Sequence, residues 1–245
     1  MRFGAAGLND CAVARATGIP RRTILDWRCG ATRDRRFDDR ERCSKCGCSV
    51  HDFTQLPGTE YTYLLGMYLG DGHISAYERA WRLRVSMCLD WPGILAECRA
   101  AMQAVFPNNR VSFVHPDPSS RCGVLCVYSR MLSCLFPQHG PGPKHLRKIE
   151  LAGWQQSIVR SHPRFFIRGL IHSDGCRFVN RVTIKGKTYS YPRYNFTSAS
   201  DDIRGLFTAA LDQLGIDWRR MNARNVSVAR RESVARLDDF VGPKS

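Results

Sequence analysis

Two aspartates 103 positions apart close the same nine-residue pattern. Leu64-Leu65-Gly66-Met67-Tyr68-Leu69-Gly70-Asp71-Gly72 and Ile167-Arg168-Gly169-Leu170-Ile171-His172-Ser173-Asp174-Gly175 both read apolar-x-Gly-apolar-apolar-x-small-Asp-Gly. Carboxylates set side by side at two helix C-termini repel each other and oppose the helix dipole, so the arrangement calls for a cation. Mg²⁺ suits Asp71 and Asp174 because it prefers oxygen ligands, keeps several waters and binds phosphate. Backbone groups of Gly70 and Ser173 are the further candidate ligands. Capping of two packed helices is the plainer alternative, although capping alone would not select Asp at a C-terminus. A second cluster, Cys43-Ser-Lys-Cys46-Gly-Cys48 with His51 behind it and Cys29 upstream, has the Cys-x2-Cys-Gly shape of one zinc knuckle. Its fourth ligand is open: Cys48 with His51, or Cys29, closes a zinc site, and otherwise these are reduced thiols in a linker.

The repeat dictates how the acids are held. Gly66 and Gly70, like Gly169 and Ser173, lie at i and i+4 and give each helix a stripe without bulk. Two such stripes can pack backbone against backbone about a pseudo-twofold axis. The glycine after each Asp is expected to supply a left-handed helix cap. After each motif come β-rich residues, a helix (91–106; 202–214), more short strands and another helix. The chain therefore reads as α+β, two αββαββα halves at 58–146 and 147–245.

The strands carry a second chemistry. Arg177, Val179, Arg181, Thr183, Lys185 and Lys187 alternate with Phe178, Val182 and Ile184, which predicts one basic and one apolar face. Gly186, Lys187 and Thr188 are placed in the turn, with Tyr191, Arg193, Asn195 and Thr197 returning on the basic face. Arg82, Arg84 and Ser86 alternate likewise with Leu83, Val85 and Met87. A solvated outer face is the ordinary alternative for such strands. The tract 137–148 reads as a basic connector between the halves.

Composition agrees with a polyanionic partner. Thirty-seven Lys and Arg against 22 Asp and Glu give a net charge of +15 over 245 residues. Thirty-one of the cations are Arg, which grips phosphate bidentately and stacks on bases; a GC-rich coding sequence accounts for part of the bias. The hydrophobic fraction of 43% excludes wholesale disorder, and the longest apolar runs are too short to span a bilayer. With no apolar signal core at the N-terminus and an odd number of cysteines, a reduced, cytoplasmic protein is expected. Cys88, Cys98, Cys126 and Cys134, inside apolar runs, read as small buried hydrophobes.

Ahead of the repeat, Asn9-Asp10 caps a short helix, Thr17-Gly18-Ile19-Pro20 turns, and 21–28 forms a second helix. Ala14, Gly18, Ile24 and Trp27 take the small, turn and core positions of a helix-turn-helix; Arg21, Arg22, Thr23, Asp26 and Arg28 would face a major groove. The stretch resembles the helix-turn-helix of resolvase and transposase families, in which Gly-Ile-Pro-x-x-Thr-Ile/Val-x-x-Trp recurs, although only 1–7 remain for a supporting helix. A plain helical hairpin is the alternative. Residues 31–57, mixed in charge, read as an exposed connector.

From about 58 to 245 the sequence resembles the LAGLIDADG homing endonuclease family in its single-chain, two-motif form. The resemblance implies a monomer that binds double-stranded DNA under two sheets and hydrolyses it with Mg²⁺ or another divalent cation. Asp71 and Asp174 would each serve one strand, and intron homing would be the biological setting. His172 stands where the family name has its first Asp and is not taken as catalytic. The family often places a Lys in a late strand of each half, and none matches here; Arg110, Arg121, Lys144, Arg219, Arg220 and Arg230 are the candidate substitutes. The alternative is a non-cleaving DNA-binding regulator on the same fold, as in a sporulation regulator family that joins it to a helix-turn-helix. An intein is disfavoured, because the chain opens at Met1 without a splicing Cys or Ser and closes on Gly242-Pro243-Lys244-Ser245.

Overall fold

The computed structural model describes residues 9–28, 42–117, 119–242 and 244. The chain divides into two units, Met1–Arg42 and Cys43–Ser245. The segment 1–7, Cys29 and the charged run 31–41 lie outside the described residues.

In the first unit, helix α1 (Asp10–Thr17) is capped by Asn9, whose side chain accepts from the Ala12 amide. Gly18, at φ +69°, ends it in the left-handed conformation. Helix α2 spans Arg21–Arg28. Val13 and Ile24 are buried between the two, while Trp27, expected in the core, is 56% exposed.

The second unit contains the repeat. Helix α3 (Gly58–Leu69) leads to β1 (Gly72–Ala76), β2 (Trp81–Cys88), α4 (Pro92–Val105), β3 (Ser112–Val114), β4 (Cys122–Ser129) and α5 (Leu132–Leu135). After α6 (Gly153–Ser161), the series recurs as α7 (Pro163–Asp174), β5 (Gly175–Ile184), β6 (Lys187–Thr197), α8 (Asp201–Gln213), β7 (Arg219–Arg220), β8 (Asn225–Val228) and α9 (Arg231–Val241). The two sheets have the same order, β1-β2-β4-β3 and β5-β6-β8-β7, with antiparallel neighbours throughout. The predicted αββαββα halves are therefore present. Leu64, Leu65, Phe166, Ile167 and Leu170 of the motif helices lie at the centre of one continuous core.

Glycine brings α3 and α7 together. A methyl group on Gly66 would lie 2.7 Å from the Phe166 carbonyl oxygen, and one on Gly169 only 2.2 Å from that of Tyr63. The glycines after the aspartates act differently from the expected left-handed caps. Neither Gly72 nor Gly175 has positive φ. Each begins a strand that folds back on its own helix, where a Cβ would come within 2.4 Å of Tyr68 Cα or 2.7 Å of Ile171 Cα. Close approach, not handedness, demands glycine there.

Two further expectations fail. Only 31–42 of the anticipated connector precedes the second unit's boundary; from Cys43 onward the chain belongs to that unit, and Phe53 stacks on Trp154 with ring centroids 3.9 Å apart. In the β5–β6 hairpin, Lys185 (φ 49°) and Gly186 (φ 77°) make the turn, so Lys187 and Thr188 are strand residues. β8 pairs with β6 only from Tyr194 to Thr197, so beyond it the hairpin is a two-stranded ribbon. Phe178, Val182 and Ile184, expected to be packed, are exposed on it.

Candidate metal centre and nucleic-acid face

The paired helices deliver the acids as the repeat requires. A methyl group on Gly70 would stand 3.0 Å from Asp174 Oδ2, so the end of α3 and the second carboxylate nearly touch. Ser173 fits the small position because its hydroxyl donates back to the Gly169 and Leu170 carbonyls at 3.1 and 3.0 Å. Asp71 keeps an exposed edge, yet crowding by protein and then the Asp174 charge push its carboxyl up to about 6. Burial raises Asp174 as well. Both shifts are opposed by the same two ammonium groups, Lys144 and Lys244.

Of the six candidate basic residues, Lys144 is the one that lies beside these acids. The tract 137–148, expected to be a mere connector, carries it to the end of α3, where Nζ donates to the Tyr68 and Gly70 carbonyls, the latter at 2.8 Å. Burial pushes its pKa down to about 8, with the aspartates pulling the other way. The Gly70 carbonyl, a candidate metal ligand, is thus already an acceptor for an ammonium. Lys244, which no sequence pattern marked, adds a second cation. Two cavities of about 280 Å³ each meet at Gly70 and Lys144. One is lined by His73 and His139 from the first half and by Arg147; the other by Asp174, Thr197, Ser198 and Arg224 from the second.

The other candidate bases are engaged elsewhere or stand apart from these cavities. Arg121 pairs with Asp90 (Nε–Oδ1 3.0 Å), Arg220 with Asp201 at 3.6 Å and Arg230 with Asp217 at 2.9 Å. Arg219 and Arg230 line a separate hollow with Arg193 and Ser227, and Arg110 is exposed.

The donor set fits a hard divalent cation: two carboxylates converge with their own repulsion unrelieved except by lysines. Asp71 and Asp174 would hold the ion, and the flanking cavities leave room for its water and a phosphate oxygen.

Register settles which side chains share the open face of each sheet, since directly opposed residues point the same way. In the first sheet His73 opposes Arg84, Ser75 opposes Arg82, and Arg82 opposes Tyr128, while Leu83 and Val85 face the core. Arg82, Arg84 and Ser86 therefore lie on the open face as expected. Tyr77 and Tyr128, which the sequence did not flag, bracket Arg82 with ring centroids 4.9 and 5.9 Å from Cζ. In the second sheet Arg177 opposes Tyr194, and both meet Asp238 of α9, Arg177 Nε at 2.7 Å. Arg177, Arg181 and Thr183 thus point to the helix side. Lys187, Tyr191, Arg193 and Asn195 point to the open side, opposite Ile184, Asn180, Phe178 and Cys176. The two groups predicted to share a face occupy opposite ones, because the two-residue turn shifts the return strand by one. Arg82 and Arg193 fall at equivalent places in the two sheets, each three residues before the residue that pairs with the glycine after the aspartate. The Nε atoms of Arg82, Arg84 and Arg193 are buried without a hydrogen-bond partner. In the first unit, Arg21 and Arg22 are exposed on α2, and Arg22 lies 3.6 Å from Asp26.

No protein-family model and no curated protein matches the chain. Solved structures do match. I-DmoI in complex with DNA and Mn aligns over 76% of this chain and 97% of its own, with TM-score 0.50 and 16% identity. An I-DmoI variant with its target DNA in the presence of Mg aligns over 75% and 96%, with TM-score 0.51 and 15% identity. The LAGLIDADG meganuclease I-AabMI bound to uncleaved DNA gives TM-score 0.46 and 11% identity over 74% of this chain and 82% of its own. The likeness is one of fold: the second unit adopts the two-sheet architecture of LAGLIDADG homing endonucleases. No helix among the described residues is long and apolar enough to cross a membrane.

Proposed function

We propose that this protein is a metal-dependent, site-specific endonuclease of double-stranded DNA, acting as a monomer with internal twofold pseudosymmetry. The observation that carries the reading is the convergence of Asp71 and Asp174 at the ends of α3 and α7, below two sheets whose open faces carry Arg82, Arg84, Arg193 and Asn195. Magnesium or a similar ion held there would act as a Lewis acid and lower the pKa of a bound water. The chain's own residues do the rest. The strands fix the phosphate backbone over the helix ends, and the β5–β6 ribbon extends that contact with Lys187 and Tyr191. Lys144, anchored to the α3 carbonyls, sits where an ammonium can stabilise charge on a phosphate oxygen. The helix pair around Arg21, Arg22, Thr23 and Arg28 adds affinity as a tethered second DNA contact.

The test is incubation of the purified chain with Mg²⁺ and a library of duplexes drawn from its genomic locus. Double-strand cleavage is expected, abolished in Asp71→Asn and Asp174→Asn while binding persists. Binding without cleavage by the unmodified chain, unaltered in either variant, would sink the enzymatic reading. It would favour the non-cleaving regulator, for which the lysine already seated on the Gly70 carbonyl is the supporting observation.

A further inference from the structure

Cys134 was expected to be a small buried hydrophobe of α5. Its Sγ instead lies 3.6 Å from Cys43 Sγ, across 91 residues of chain. Cys46 Sγ lies 3.1 Å from His51 Nε2. The four ligand atoms of Cys43, Cys46, His51 and Cys134 all fall within 4.8 Å of one another. We propose that these four residues form a structural tetrahedral zinc site that clamps the start of the second unit onto α5. The reading is independent of any activity on DNA.

Geometry and surroundings both favour zinc. Tetrahedral Zn²⁺ with Zn–S near 2.3 Å sets sulfurs about 3.8 Å apart, close to the observed spacing. A three-sulfur, one-nitrogen set is soft and tetrahedral, unlike the oxygen sites of Mg²⁺ or the planar sites of Cu²⁺. The loop turns a donor toward the cluster: Cys46 Sγ accepts from the amide of Cys48 at 3.5 Å. Gly47, at φ +66°, lets the loop close, with its amide on the Cys43 carbonyl at 2.7 Å. Arg130 packs against Gly47, its Nη2 only 2.5 Å from where a Cβ would stand. Its positive charge offsets the single net negative charge of Zn²⁺ with three thiolates. His51 is held by Phe53, ring centroids 5.4 Å apart, and Phe53 by Trp154. Cys46 and Cys134 are buried. Cys48, the ligand the spacing suggested, directs its Sγ to the Cys46 carbonyl instead.

The test is elemental analysis of the purified full chain, coupled to cobalt substitution. One zinc per chain is expected, and the cobalt form should show tetrahedral d–d bands with charge transfer from three thiolates. Cys134→Ser should lower zinc retention against a weak chelator at least tenfold, whereas Cys48→Ser and Cys29→Ser should leave it unchanged. Should Cys134→Ser fail to fold, the cobalt spectrum and the thiols unmasked by chelation in the unmodified chain decide. Absence of zinc together with no tetrahedral cobalt spectrum would overturn the proposal. So would loss of zinc in Cys48→Ser or Cys29→Ser equal to that in Cys134→Ser.

Discussion

At the scale of single residues, the glycines and acids of the repeat make the sharpest claims. Gly169 faces a backbone carbonyl that cannot move without unwinding α3, so Gly169→Ala should cost about 1–3 kcal/mol through overpacking. Gly205, inside α8 with open space around its Cα, should behave in the opposite sense. Gly205→Ala should gain about 0.5–1 kcal/mol by restricting the unfolded chain. Thermal melts of both variants beside the parent check the pair. The acid centre predicts a pH dependence. The Asp71 carboxyl is raised in the folded state, so its contribution to stability is present below the unfolded value of 3.8 and is lost as pH rises through about 6. Metal-free protein should therefore lose stability between those values, added Mg²⁺ should restore it, and Asp71→Asn should flatten the profile. Melting curves across that range, with and without Mg²⁺, measure this; an unchanged profile in Asp71→Asn would contradict it. Asp71 and Asp174 were legible from the repeat alone. Lys144 was legible only as a candidate among six, since its tract has no period and its position is set by where the loop lands.

At the scale of elements, the two halves are joined by more than the glycine stripe. Arg168 of α7 grips Glu97 of α4 with two hydrogen bonds of 2.6 and 2.7 Å, and its Nη1 reaches the Phe240 and Val241 carbonyls closing α9. One guanidinium thus ties three helices. His172 continues the tie, accepting from Tyr63 OH at 3.0 Å and donating to the Val241 carbonyl at 3.1 Å. Burial keeps it neutral, with its pKa pushed down to about 4, beside the Arg168 charge. Arg168→Met should destabilise by about 1.5–3 kcal/mol, the worth of charge-assisted hydrogen bonds left unmade, with Glu97 stranded. A double-mutant cycle with Glu97→Gln should show coupling; additivity would mean the pair is ornamental. The sequence conveyed the elements themselves but not the phase of the β5–β6 hairpin. Alternation fixes which residues of one strand share a face. The phase of the return strand depends on the number of residues in the turn, and Lys185-Gly186 is shorter by one than the turn expected.

At the scale of the molecule, the surplus of positive charge separates into faces with different prospects. Arg193 and Tyr191 stand on the open side of the second sheet, and Arg181 on the helix side of the same ribbon. In duplex binding assays Arg193→Ala should weaken affinity by about 1–3 kcal/mol and reduce the salt dependence, and Tyr191→Ala should weaken it without changing the salt slope. Arg181→Ala should change little. Equal losses at Arg181 and Arg193 would place the DNA along the ribbon's edge instead of its open face.

The sequence by itself determined the duplication, the two acids, the bulk-free stripes and the alternation of each strand. These are local regularities, and helical and strand periods translate them directly into faces and ends. Only the tertiary structure decided that Cys134 joins Cys43, that Lys144 and Lys244 stand near Asp71 and Asp174, and that Gly72 and Gly175 serve close approach. Cys43 and Cys134, and the lysines and aspartates, lie far apart in the chain, while Gly72 and Gly175 meet their own helices only because β1 and β5 turn back on them. Their meeting is fixed by how the whole core closes, a quantity that no spacing between residues records.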